Sequence, residues 1–141
     1  MAASLRIVGA DRLQRKLRRI KPRRQKRLYA NALRAGGRII AKEAKSRAPR
    51  LTGLFGDKIK VKALRVRRAG EVAATIVHSA APHDHLVQLG TGERRQTSTG
   101  RSAGKMPANP VVADAAARKR GVVEAKVTSN LATGIERELA R

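Results

Sequence analysis

The sequence has no cysteine and no tryptophan, and a single Phe (Phe55) and a single Tyr (Tyr29) are its only aromatic residues. Without cysteine there are no disulfides and no thiolate chemistry, and the redox compartment is left open. Two aromatics cannot build the stacking platforms of single-strand nucleic-acid binders, so the core must come from Leu, Ile, Val and Ala. No apolar run approaches the roughly 20 residues of a membrane span. The opening "MAASLRIVGA" is too short and polar for a signal peptide, so synthesis in the cytoplasm is expected. Acidic residues are also scarce, at 10 against 33 Lys and Arg, a net charge of +23. Such a chain repels itself and seeks a polyanion or an acidic protein surface.

What is present suits one domain over residues 1–141. In "SLRIVG", Leu5 and Ile7 alternate as in a short strand. Asp11 is a helix N-cap candidate, followed by Leu13, Leu17 and Ile20 at helical spacing. Pro22 interrupts that pattern, because it lacks an N–H and disfavours a helical residue before it. A longer helix is expected over residues 23–47, with Tyr29, Leu33, Gly36, Ile40 and Ala44 on one face and Pro49 beyond its end. Gly36-Gly37 within it costs helix propensity and points to a close approach by a neighbouring backbone.

Residues 57–68 alternate Lys with Ile59, Val61 and Ala63, and the phase then slips to Leu64 and Val66, which predicts a β-bulge near Ala63–Leu64. With "EVAATIVHS" as the returning strand, a hairpin follows. A short extended piece is expected at Leu86–Leu89. Residues 91–105 read as a long flexible loop, longer than a compact domain tolerates without a task. Helical spacing returns over residues 110–139 through Val123, Val127, Leu131, Ile135 and Leu139, with a break or kink expected at Gly121. The expected fold is α+β: a small antiparallel sheet packed on a long N-terminal helix, a C-terminal helix, and the loop at 91–105.

Three patterns bear on chemistry. Residues 12–27 hold ten basic residues and no acid: Arg12, Arg15, Lys16, Arg18, Arg19, Lys21, Arg23, Arg24, Lys26 and Arg27. They suit a phosphate backbone, without sequence preference, or a solvated or acid-docked helix face. "HSAAPHDHL" gathers His78, His83, Asp84 and His85, but with no ligand spacing typical of a metal site. A metal-dependent nuclease is the reading this cluster would serve, and loop histidines the plainer one. "LGTGERR" lacks the spacing of a phosphate loop and reads as a turn. Ser98 and Ser102 sit where no geometry for a nucleophile is held. No catalytic residue, cofactor site or metal site is assigned.

The order of motifs resembles a family of tail-component proteins of long-tailed phages, the neck or tail-completion proteins that join head to tail. "IVGADRLQRKL" matches its start, and a basic, Ala-rich helix ends in "AKSRAP". "RLTGLFGDKIKV" carries its TG-L element, "HDHLVQLGTG" its Gly-Thr segment, and "GKMPANPVVADAAA" its MPA-x-P helix entry. Gln88, Leu89 and Val111 stand where the pattern has an acid and two aromatics. The resemblance implies a non-enzymatic virion protein that forms a ring, a hexamer, at the head–tail junction. Its implied partners are further copies of itself, head-completion or connector proteins, tail-terminator or tail-tube proteins, and packaged DNA, with no membrane. It marks Thr52, Gly53 and Leu54, then Gly90, Thr91 and Gly92, then Met106, Pro107 and Pro110 as fixed points of fold and interface. The loop between them becomes an inter-subunit arm, ordered on contact. A sequence-nonspecific nucleic-acid-binding protein is the alternative that charge supports. Replacing His83 and His85 by Ala is expected to leave the melting temperature and its insensitivity to chelators unchanged. A large loss of stability on chelation would favour the metal reading.

Overall fold

The computed structural model describes Arg15 and residues 18–50, 53–64 and 74–140. The expected strand at residues 4–9, the N-cap Asp11, and site candidates Arg12, Lys16 and Thr52 lie outside them. The described chain is α+β: α1 (Pro22–Arg47), a short α2 (Leu54–Asp57), β1 (Ile59–Leu64), β2 (Ala74–Ser79), a short α3 (Asp84–Leu89), β3 (Thr91–Arg95), β4 (Ser102–Met106) and α4 (Val111–Leu139). It has two antiparallel two-stranded sheets, β1–β2 and β3–β4.

α1 begins where Pro22 can begin a helix, at its first turn, where the missing N–H has no intrahelical partner to lose. Lys45 and Arg47 close it, cations at the negative end of the helix dipole. The side chain of Gln25 donates to the carbonyl of Ile20 (2.9 Å), and Ile20 is itself buried. This bond ties Ile20 to the first turn of α1.

Two elements pack on α1, and two adjacent glycines admit them. A Cβ on Gly36 would stand 2.8 Å from Cγ2 of Val127 and 3.0 Å from Cγ1 of Val123, both on α4. A Cβ on Gly37 would stand 2.8 Å from Cγ1 of Val61 on β1. The close approach expected from the sequence is real, but what fills it is valine side chains. The helix pair is reciprocal: Leu28 of α1 lies over Gly134 of α4, with Cδ2 2.8 Å from where a Cβ would be. Arg24 and Glu138 form an ion pair between the start of α1 and the end of α4. Farther along, the carboxylate of Glu43 bonds Arg47 (2.7 Å) and faces Lys119 of α4 (3.6 Å). The hydrogen bond from Arg47 and the charge of Lys119 hold its pKa below the usual value, against the opposing effect of burial.

The β1–β2 ladder is regular from Ile59↔Ser79 to Leu64↔Ala74. The bulge expected at Ala63–Leu64 is therefore absent there. Leu64 simply continues the alternation, lies on the outer face with Lys60 and Lys62, and is exposed. The irregular register occurs instead in β3–β4, around Arg94. The core is small and dominated by alanine: Ala41, Ala44 and Ala48 of α1 and its end meet Phe55, Ile59, Val111 and Ala115. Ser79 is the buried polar residue of this region, and its hydroxyl donates to the carbonyl of Phe55 (3.1 Å).

Three further expectations are corrected. Residues 84–89 form a helix, not an extended piece, with Gln88 bonded to Asp84 one turn earlier (2.7 Å). α4 runs unbroken through Gly121, which is exposed and has no heavy atom near its Cβ position. A helix of this length held by α1 tolerates one glycine, which costs only about 1 kcal/mol. Residues 91–105 form most of an ordered hairpin.

These glycines separate by experiment. Gly36→Ala and Gly37→Ala should each lower stability by up to about 2 kcal/mol, since overpacking outweighs the helix gain. Gly121→Ala should raise it by about 0.5–1 kcal/mol. Denaturant unfolding of the three variants checks both signs, and a stabilised Gly36→Ala would refute the packing role of that position.

Candidate assembly interface

The β3–β4 hairpin is the largest feature outside the core. Every residue from 92 to 105 is exposed, and Thr91 and Met106 at its base are half-buried. An isolated two-stranded hairpin is marginal in water, so its order needs a local cause. At the tip, Gly100 has φ +64, and its N–H bonds the carbonyl of Gln96 (2.8 Å). The N–H of Gln96 bonds the carbonyl of Arg101 (2.9 Å), and the Thr99 hydroxyl donates to the Gln96 side chain (2.7 Å). The Ser, Thr and Gly content that suggested a loop thus supplies turn bonds. Composition correctly denies this segment a core, but pairing of its backbone does not require one.

At its base the hairpin is clamped. Gly90 has φ +74, and a Cβ there would lie 2.6 Å from the amide nitrogen of Ala108 and 2.7 Å from the carbonyl oxygen of Met106. Here two stretches of backbone touch, and only glycine fits. The N–H of Met106 donates to the Thr91 hydroxyl (3.2 Å), and that of Asn109 to the carbonyl of Val87 on α3 (2.9 Å). Pro110 then leads into α4, and Val111 is buried at its start. The sequence candidates Gly90, Thr91, Met106 and Pro107 are therefore brought together, with Pro110 following. Gly92 is not part of the contact, having no atom within 4 Å of a Cβ position. Gly53 lies elsewhere, at φ +71 ahead of α2, and Leu54 beside it is exposed. Ala108 and Asn109 fall within the Pro107–Pro110 helix entry, but their backbone contacts with Gly90 and Val87 were not legible in residue type.

The other candidates are scattered. Arg15, Arg18, Arg19, Lys21, Arg23, Arg24, Lys26 and Arg27 are all exposed. Arg24 is used for the Glu138 pair. His78 lies on β2, while His83 and His85 flank the start of α3 and are exposed. Among the described residues no three His, Asp or Glu side chains come together as metal ligands.

Residues 11–90 match the model of a family described as "Bacteriophage HK97-gp10, putative tail-component". The chain belongs to this family. The match covers α1 to α3 and ends at Gly90, where the clamp begins; the hairpin and α4 lie beyond it. No curated protein and no solved structure matches the chain. As a member of this tail-component family the protein is a structural part of a phage virion. None of its described helices is long and apolar enough to cross a membrane.

The clamp makes a sharp comparison possible. Gly90→Ala meets backbone on two sides in a strained conformation and should cost about 2–4 kcal/mol. Gly92→Ala should be neutral within about 0.5 kcal/mol. Thermal unfolding of both variants decides, and equal effects would show that the base is not held.

Proposed function

We propose that this tail component assembles as a hexameric ring at the head–tail junction of a long-tailed phage and helps to join the DNA-filled head to the tail. The observation that carries the reading is the hairpin clamped at its base and exposed from residue 92 to 105. Its base is fixed to α3 and to the entry of α4, whereas its strands touch nothing else extensively among the described elements. A projecting, locally ordered arm suits contact with a neighbouring subunit, or with a connector, tail-terminator or tail-tube protein above or below. Pre-ordering lowers the entropy cost of binding.

Surfaces that such a neighbour can cover are present. Leu89, at the foot of the arm, is 79 % exposed. Leu64 and Ile76 are exposed diagonal neighbours on the outer face of β1–β2. The small alanine core also fits a subunit that gains stability on assembly. In this reading Gly53, Gly90, Thr91 and the Met106–Pro110 stretch are fixed points that aim the arm, and no side chain is required for catalysis.

Replacing residues 93–104 by an Asn-Gly turn keeps the Thr91↔Met106 pair and removes the arm. The expected outcome is a folded monomer with little change in melting temperature, no ring by sedimentation and negative-stain imaging with neck partners present, and filled heads separate from tails in the infected cell. Rings and infectious particles formed normally by this variant would overturn the role of the hairpin.

A further inference from the structure

α1 has one side against α4 and another against the β1–β2 sheet. A further row of α1 carries Arg23, Arg27, Arg34, Arg38, Lys42 and Lys45, with Asn31 in the gap between Arg27 and Arg34; Arg27 and Asn31 border Glu138 of α4, and Lys42 borders Lys119. The steps along this row are four, four, three, four, four and three residues, the spacing of a single helix face. All seven residues are exposed. None of the six cations is ion-paired among the described residues. The single acid of α1, Glu43, is held on the α4 side by Arg47 and Lys119. The result is a positive stripe, interrupted only at Asn31, that spans about 33 Å at about 1.5 Å per residue. It begins inside the basic run noted in the sequence and continues well past it.

We propose that this stripe binds the backbone of double-stranded DNA without regard to sequence. Four of its six cations are arginines, whose forked donors match phosphate oxygens. Its length is close to one turn of the duplex, about 34–36 Å, so phosphates along one turn lie within reach of both ends. A second copy of this chain is a poor occupant, because 10 acids cannot complement 33 bases. An acidic protein is the less suitable partner. Protein interfaces centre on apolar and aromatic anchors, and this stripe has none, whereas DNA interfaces are polar and strongly positive. The lack of aromatics excludes a stacking platform for single strands. The proposal stands whether or not the chain forms a ring.

The test is fluorescence anisotropy of the full-length protein with two unrelated 30-base-pair duplexes over a range of salt. Net charge alone gives any such protein some affinity, so variants matched in charge decide. Arg34→Gln with Arg38→Gln should weaken both duplexes by more than about tenfold and lower the salt slope by roughly 2, near 0.9 per lost phosphate contact. Lys60→Gln with Lys62→Gln removes the same charge from the outer face of the sheet and should change affinity less than about threefold. Lys42→Gln with Lys45→Gln, at the other end of the stripe, should behave like the first pair and guards against a folding defect in it. Arg34→Lys with Arg38→Lys should retain most of the binding. Equal weakening by the stripe and sheet pairs would reduce the effect to bulk charge and overturn the proposal. So would stripe variants that lose binding to polyglutamate while keeping DNA affinity, which would assign the face to an acidic protein. Ring assembly is read separately by sedimentation of the hairpin variant, so either reading can fail alone.

Discussion

Two missing side chains hold this protein together. At Gly36 and Gly37 the surface of α1 is bare on two adjoining sides, and α4 and the β1–β2 sheet each press valine side chains into one of them. Any Cβ there would force these elements apart, because interiors are packed too closely to absorb it. The close approach also explains a core made largely of alanine, since little volume is left between the layers. Leu28 over Gly134 repeats the device at the other end of the helix pair.

This arrangement leaves the third side of α1 in water, and there the chain places its cations at helical spacing. Two acids of the long helices are paired where α1 and α4 meet: Glu138 with Arg24, and Glu43 with Arg47 and Lys119. These pairs are partly exposed, so their value is modest and salt-dependent. Their clearer effect is on position, since the Arg24–Glu138 and Glu43–Lys119 contacts tie α1 to α4. A net charge of +23 is then borne mainly by surfaces away from the core, which limits its cost in self-repulsion and preserves its reach toward a polyanion.

The hairpin follows a different rule. It has no share in the core, and its order comes from its own ladder, its tip hydrogen bonds and the Gly90 clamp. An element of this kind can be lengthened, shortened or recharged without unfolding the subunit that carries it. The family match ends at Gly90, where this element begins. The hairpin projects between α3 and α4, and α4 then returns to pack on α1.

The sequence by itself determined the class of fold, both long helices and the β1–β2 hairpin, because periods of 3.6 and 2 in apolar residues are visible along the chain. It also disclosed the tail-component family, through the order of several weak motifs. Tertiary structure decided the rest. Leu86 and Val87 form too short an apolar run to reveal a period, and the Asp84–Gln88 bond and the contact of Asn109 with Val87 accompany a helix there. Leu64 looked like a change of phase, but pairing with Ala74 kept the ladder regular and turned it outward. Gly121 looked like a break, but α4 continues through it as one helix packed along α1. Residues 91–105 looked like a loop, because composition reports how much apolar surface can be buried and not which backbone groups will pair. The contacts of Gly90 with Met106 and Ala108 join residues sixteen and eighteen apart through backbone atoms, so the glycine records that space is needed but not which segment fills it.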